Sequence, residues 1–396
     1  MIHKLYRMNC TFFRSTLFVL FLVSGASLSS NAQTTIGQST EYRPITTAVP
    51  FLSVSPDARA AGMGDAGVAT TPDANTLFWN SAKLGFIEDD LGVSLSYTPW
   101  LSKIVNDMSL SQLSAHKKVT QNSSIALSLL YFDLGELNFT DASGNAIQNF
   151  NPKEYAISLG YGQKLSENLS LGVGARFIHS NLSGNVNVGS GGNVIGESQP
   201  GNSVAVDLGV YYTKDLAMGG KNYNLSFGGN VSNIGAKISY TTAGRKDFLP
   251  TNLRLGTAFT MELDPYNKIT LAVDGNKLLV PYTQSNDPAA NDQTNVFSGI
   301  FKSFTDAPGG GTEEVKEITV SSGLEYWYDN MFAARAGYFY ENELKGGRQY
   351  FTMGLGIRYQ KFGFDGAYMI PNDQNNPLAQ TFRFSLHFRL DEPAAE

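Results

Sequence analysis

The sequence predicts an all-β protein: a transmembrane outer-membrane β-barrel of about fourteen antiparallel strands with an N-terminal plug segment. Three observations carry that prediction. Apolar residues alternate with polar ones at period two through most of the chain after residue 89. The connections between these runs alternate short and long. The N-terminus is basic and then apolar, the pattern of an export signal.

The first element is 1–32. His3, Lys4, Arg7 and Arg14 form a basic head, Leu17 to Val23 an apolar core, and Ser30-Asn31-Ala32 a cleavage site before Gln33. The run falls short of the ~18–20 apolar residues of a spanning helix, and no later stretch reaches that length. The single cysteine, Cys10, lies in this segment, so the processed chain offers no disulfide and no thiolate metal site. Processing removes three Lys/Arg and no acid, taking the formal charge from −6 to −9. An acidic chain without a basic stripe disfavours nucleic acid as a partner. Charged residues make up only 16% while Phe and Tyr number 25 and 19, which suits walls with aromatics at a membrane boundary.

Residues 33–50 are polar and Thr-rich, and an extended or loose arm is expected there. Residues 51–88 read differently from everything after them. Ala58, Ala60, Ala61, Gly62, Gly64, Ala66 and Gly67 allow close backbone approach. Asp57, Arg59, Asp65 and Asp73 add charge, and Leu77-Phe78-Trp79 precedes Asn80-Ser81-Ala82. This composition fits a short helix over one end of a β domain or a plug within a barrel. The strands decide for the plug.

The barrel is expected over 89–390. Leu91, Val93, Leu95 and Tyr97 alternate with Gly92, Ser94, Ser96 and Thr98; Phe351, Met353, Leu355 and Ile357 alternate with Thr352, Gly354, Gly356 and Arg358. The last run sets Phe382, Phe384, Leu386 and Phe388 against Arg383, Ser385 and His387. A soluble sandwich alternates in the same way, but it has no reason for the parity of the loops. Tight turns are expected at Thr120–Asn122, Ser166–Asn168, 215–222, Asp264–Asn267, Asp329–Asn330 and near Lys361. Long outer loops are expected at 133–151, 181–202, 235–250 and 281–316. Strand boundaries near 106–119 and 316–328 are not defined by the pattern, and 391–396 is a short acidic tail.

The run Asp57-Ala58-Arg59-Ala60-Ala61-Gly62-Met63-Gly64-Asp65, with Asp73 and Trp79-Asn80-Ser81-Ala82, resembles the opening of FadL-like barrels. Phe297 to Phe301, Asp306-Ala307-Pro308-Gly309-Gly310 and Gly323-Leu324-Glu325-Tyr326-Trp327-Tyr328 extend the resemblance to the PorV family of the type IX secretion system. One departure is Asn80-Ser81-Ala82 where many relatives have Asn-Pro-Ala, and loss of that proline leaves the local backbone less fixed. The resemblance implies a fourteen-stranded carrier in a Gram-negative outer membrane, in contact with its lipid. Such a carrier binds a very large secretion barrel (SprA/Sov-like) and collects cargo with a C-terminal signal. It delivers that cargo to a complex holding a PorU-like sortase. A role in lipopolysaccharide deacylation has also been attached to the family.

In loop 281–316, Val296, Phe297, Ile300, Phe301 and Phe304 recur on one face of a helix that Asp306 to Gly310 stops. An apolar helix on an outer loop must cover its face, either as a lid over the mouth or in a partner. This face is the candidate partner-binding site. Asp57, Arg59, Gly62, Gly64, Asp65, Asp73, Trp79 and Asn80 are the candidate plug residues. Arg176, Asp207, Arg254, Asp274, Glu325, Arg335, Asp365 and Arg383 are expected to face the lumen, where mixed signs favour pairing with one another and the plug over a selective pore.

No catalytic residue, metal site or cofactor is expected. His116, His179 and His387 are far apart in sequence, without HExxH or GxSxG. Ser114 near His116 and Ser180 beside His179 are read as pointing to opposite faces. The expected function is a non-catalytic secretion carrier. The alternatives are a FadL-like uptake channel for hydrophobic small molecules and a lipid-modifying barrel. An uptake channel needs an apolar lumen, and here only Trp327, Phe339 and Met369 suggest one.

Overall fold

The computed structural model describes residues 42–101, 107–140, 146–182, 184, 187–190, 193–241, 244, 246–282, 293–372 and 381–390. The predicted signal segment and acidic tail lie outside these residues. The wall opens with β1 (Leu91–Pro99), β2 (Ser109–Thr120) and β3 (Ser123–Asp133). After a two-stranded hairpin of β4 (Leu137–Thr140) and β5 (Ala146–Phe150) come β6 (Lys153–Lys164) and β7 (Leu169–Asn181). A second hairpin, β8 (Asn187–Ser190) with β9 (Asn193–Glu197), precedes β10 (Gly201–Met218) and β11 (Lys221–Gly235). The wall continues through β12 (Asn252–Glu262), β13 (Asn267–Leu278), β14 (Thr319–Tyr328) and β15 (Phe332–Tyr340). It ends with β16 (Gln349–Tyr359), β17 (Phe362–Pro371) and β18 (Phe382–Leu390).

Apart from the two hairpins, every strand pairs with its sequence neighbours, and β1 closes on β18 from Leu91↔Leu390 to Tyr97↔Phe384. The result is a closed fourteen-stranded antiparallel barrel without a free edge. No helix among the described residues is long and apolar enough to cross a membrane, and the strands do the crossing. The alternation set out above is the cause. In β16, Phe351, Met353, Leu355 and Ile357 are exposed on the outer wall while Thr352 is buried in the lumen. Tyr161, Tyr328, Phe332, Tyr359 and Phe362 ring the short-turn end, and Tyr97, Phe177, Tyr340, Phe351 and Phe382 ring the long-loop end. These are the two interfacial girdles of a membrane barrel.

Three details differ from the sequence reading. The turn placed at 215–222 is only Gly219-Gly220, because β10 and β11 pair out to Met218↔Lys221. Both glycines have positive φ, 60° and 77°, as a two-residue hairpin demands. The loops at 133–151 and 181–202 carry the two hairpins, so their polar composition hid local strand pairing. Finally, residues 42–50 are not loose. Arg43 N–H donates to Leu344 O at 2.8 Å and Ala48 N–H to Phe248 O at 3.0 Å, so the arm is tied to two outer loops.

Candidate functional site: the segment inside the barrel and the outer-loop lobe

The chain enters at the long-loop end, runs through the barrel and reaches β1 at the short-turn end. A 3-10 turn at Pro50–Ser53 buries Phe51, which stacks on Phe132 at 6.3 Å between centroids. Asp57 caps the one-turn helix Ala58–Ala61: its Oδ2 accepts from Ala60 N–H at 2.9 Å and its Oδ1 from Trp79 Nε1–H at 2.7 Å. One carboxylate thereby ties the start of the segment to its middle.

Arg59 follows, and all five of its N–H groups are used. Nε and Nη2 donate to the two Glu325 oxygens at 3.0 and 2.8 Å. Nη1 reaches Asp73 at 2.9 Å and Thr71 O at 3.1 Å, and Nη2 reaches Thr71 Oγ1 at 2.7 Å. From Glu325 the charges continue around the wall. Arg335 bridges Glu325 at 2.7 Å and Asp365 at 2.8 Å, and Asp365 also receives Arg358 at 2.6 Å and His387 at 2.7 Å. Arg59, Glu325, Arg335, Asp365 and His387 are buried, so each is held mainly by its neighbours, while Arg358 and Asp73 are half-buried.

The other predicted residues of the segment also meet the wall. Asp65 accepts from Arg383 at 2.8 Å and from Tyr350 O–H at 2.6 Å. Gly64, at φ 66°, donates its N–H to Thr352 Oγ1 at 2.9 Å; a Cβ there would lie 2.6 Å from Tyr338 N. Gly62 lies against Gly354. Asn80 donates to Val68 O and Val210 O at 3.3 and 3.0 Å and accepts from Ala82 N–H at 3.0 Å. With serine in place of proline at 81, this cap pins the backbone.

The close approach is mutual, which the sequence reading missed. A Cβ on wall Gly172 would lie 2.2 Å from Ala82 N, and one on wall Gly337 would lie 2.1 Å from Gly64 N. The signal was available as glycines on the polar face of alternating strands, but only the threading of the segment gives them a reason. Gly172→Val is expected to push the segment off its wall. Barrels that still fold should then show proteolytic cleavage within 51–88 that the parent resists.

Of the eight lumen charges, Arg176 pairs with Asp207 at 2.9 Å, and Asp274 accepts from Gly67 N–H and Val68 N–H at 2.7 and 2.9 Å. Arg254 differs. It donates to Phe78 O at 3.0 Å and lies over the Phe78 and Trp79 rings at 5.0 and 5.1 Å, without a carboxylate partner among the described residues. Two cavities flank the segment. One of about 960 Å³ at the short-turn end includes Arg59, Asp73, His116, Trp327 and His387 in its lining. The other, of about 320 Å³ at the long-loop end, includes Trp79, Arg254, Phe339, Met369 and Arg383.

His116 and His387 line the same short-turn cavity, and His179 lies apart from them. Ser114 and His116, two residues apart, share the lumen face, which corrects the opposite-face reading: the strand period is two. Ser114 Oγ nevertheless donates to Asn75 at 2.7 Å, and His116 packs on Gly92. His179 faces outward, stacked on Tyr155 and bonded to Asn202, while Ser180 donates inward to Glu154 at 2.6 Å. Among the described residues no cluster of three or more His, Cys, Asp or Glu is placed to hold a metal.

Outside, the loop between β13 and β14 folds into a lobe. Asn295 caps the helix Val296–Lys302 by accepting from Ser298 N–H at 2.7 Å, and a second helix, Gly311–Lys316, follows the Asp306 to Gly310 stop. Gly299 seats the first helix against Phe248 and Pro281, leaving Val296 and Ile300 half-buried. Phe297 and Phe301 are 69% and 74% exposed, and Phe304 and Val315 are also exposed.

The second helix turns its acids inward. Glu313 receives Lys345 at 2.7 Å, Arg43 at 2.9 Å and Gly309 N–H at 2.7 Å. Glu314 takes Lys277 at 2.9 Å, and Glu317 takes Lys277 and Lys345 at 2.5 and 2.9 Å. Burial opposes ionisation of Glu313, but Lys345, the Gly309 amide and Arg43 outweigh it and hold the carboxyl below its usual 4.5. Burial likewise opposes the Lys345 charge, and Glu313 with Glu317 outweigh that and hold it above 10.5. The glutamate contributes stability above its unfolded pKa, lost as pH falls through the lower folded one. The lysine contributes below its unfolded pKa, lost as pH rises through the higher folded one. The lobe should therefore resist protease from mildly acidic to mildly alkaline pH and loosen only below the glutamate range or above the lysine range.

A closed antiparallel barrel with aromatic girdles and a charged segment bound inside defines an outer-membrane β-barrel protein. The chain matches the family model described as "Type IX secretion system protein PorV" over residues 37–285 and belongs to that family. No curated protein matches it. Its fold is similar to the Ralstonia pickettii toluene transporter TbuX (9% identity, 84% of this chain and 98% of that chain, TM-score 0.46). It is also similar to the Pseudomonas putida toluene transporter TodX (10%, 83% and 95%, 0.47) and to a Pseudomonas aeruginosa FadL homologue (11%, 87% and 99%, 0.43). The protein is an outer-membrane component of the type IX secretion system.

Proposed function

We propose that this barrel is a non-catalytic carrier. It docks on the large type IX secretion barrel (SprA/Sov-like) and passes cargo bearing a C-terminal signal to a complex with a PorU-like sortase. The observation that carries this reading is the lobe. Phe297 and Phe301 are exposed, while the glutamates of the following helix are locked to Lys277, Lys345 and Arg43. A lid over the mouth would turn its apolar face inward. A face held outward on a fixed support has its ordering cost met before a partner arrives.

The test is recovery of the protein, tagged after Glu396, from native outer membranes in mild detergent, with partners identified by mass spectrometry. A very large barrel or secreted proteins sharing a C-terminal domain would support the carrier. Recovery of the barrel alone with bound lipid would favour uptake of hydrophobic molecules. His116→Ala and His179→Ala are expected to leave secretion of C-terminal-signal cargo unchanged. Loss of secretion from a correctly inserted variant would count against a non-catalytic role.

A further inference from the structure

We propose that the outer-loop lobe is seated on the outer leaflet of the membrane. Phe304, Val315 and Ile318 enter the boundary between headgroups and acyl chains, and Lys302 and Lys316 meet anionic lipid headgroups. The first observation is where the lobe sits. Along β13, Leu271 and Val273 are exposed on the lipid side while Ala272 and Asp274 are buried in the lumen. The same period places Gly275 and Lys277 on the lipid side, paired with Leu255 and Leu253 of β12. Yet Lys277 is only 8% exposed. The lobe covers it: Glu314 and Glu317 take its ammonium, and the Phe304 ring lies 6.0 Å from it. Ile318 likewise lies over Gly275, where a Cβ would meet its Cγ2 at 3.9 Å. The lobe therefore overhangs the outer wall.

The second observation is the height of this overhang. Val320 pairs with Tyr340 of the long-loop girdle, and both are exposed on the outer wall. Ile318 stands two residues further out, at most ~7 Å at strand spacing. Lys277 is level with it, because Asn276 pairs with Thr319. That is the depth of the lipid headgroups, just beyond the girdle. Val315 is one helical turn away, its carbonyl accepting from Ile318 N–H at 3.2 Å. Phe304, Val315 and Ile318 are all exposed. This apolar collar continues into the lipid-facing Val320 and Leu324 of β14.

Continuity with the membrane-facing wall decides what covers the collar. Apolar side chains at the rim of that wall are costly in water and are relieved by the lipid that already surrounds the strands below them. Charge points the same way. Lys302 and Lys316 end the two helices of the lobe and are exposed, and their ammonium groups meet no partner among the described residues. An ammonium on a flexible stem beside apolar side chains is what an interfacial segment presents to phosphate-bearing lipid. With Glu313 tied to Lys345 and Arg43, the lobe is then held by the barrel through its acids and by the lipid through its collar. This proposal does not rest on partner docking.

The test uses the full processed chain in lipid nanodiscs of phosphatidylcholine, with and without phosphatidylglycerol, and no other protein. Cys10 is the only cysteine and precedes the predicted cleavage site, so Val315→Cys carries a single environment-sensitive fluorophore. Leu324→Cys in the wall serves as the lipid-facing reference. A nitroxide on the lipid headgroup is expected to quench the Val315 probe at least twofold, more strongly with phosphatidylglycerol, while aqueous iodide reaches it poorly. Lys302→Gln combined with Lys316→Gln should remove the phosphatidylglycerol effect. These three positions are exposed, so the barrel should stay heat-modifiable, and Ile318→Cys repeats the measurement if the label at 315 disturbs its short helix. A probe open to iodide and unquenched by the lipid nitroxide would overturn the proposal and give the collar to a protein partner. Equal nitroxide quenching with and without phosphatidylglycerol, or an effect of phosphatidylglycerol that survives loss of both lysines, would overturn it as well.

Discussion

Replacing Arg59 by Ala is expected to release the inner segment from the wall. The side chain makes five hydrogen bonds, two to Glu325 in the wall and three within the segment, to Thr71 and Asp73. Removing it leaves Asp73 without its ion-pair partner and Glu325 with Arg335 alone. Breaking a buried pair in this way costs about 3–5 kcal/mol, because the remaining charge stays buried. Arg59→Lys should recover only part of this, since an ammonium cannot reproduce the planar fork that meets both Glu325 oxygens. The measurements are the temperature at which the barrel loses its compact form on a gel, and the conductance of single barrels in planar bilayers. Parent protein should be closed and Arg59→Ala should open intermittently. A closed, equally heat-stable Arg59→Ala barrel would show that the wall glycines alone retain the segment.

Changing Phe297 and Phe301 together to Ser should uncouple the barrel from its secretion partner without affecting insertion. Both rings lie almost wholly outside the fold, so folding loses little with them. A partner that buries them loses two aromatic anchors, each worth roughly 2 kcal/mol or more at the centre of an interface. Recovery of the large barrel should fall by a factor of a hundred or more, with the double variant still heat-modifiable. Val296→Ser and Ile300→Ser should behave differently: these half-buried residues seat the helix, so they should loosen the lobe as well as weaken the partner. Undiminished recovery with the Phe297/Phe301 variant would move the docking surface elsewhere.

Much of this was legible from residue order. Period-two alternation and loop parity predict the closed wall, because one face of each strand must satisfy lipid and the other a polar interior, and that constraint is local. The helix at 296–302 was likewise visible in the spacing of its apolar residues. The inner segment could be picked out by its small residues and its charges.

What residue order could not supply is partner choice across long separations. Arg59 meets Glu325, Asp65 meets Arg383, and Glu313 meets Arg43 and Lys345, each across a large stretch of chain. That Arg254 donates to Phe78 O and makes no direct ion pair among the described residues is equally invisible in one dimension. Strand chemistry acts between neighbours in sequence and so is written into short windows. The positions of the segment, the lobe and the outer cavity depend on closure of the barrel, which brings β18 against β1 and fixes the space that every lumen side chain must share.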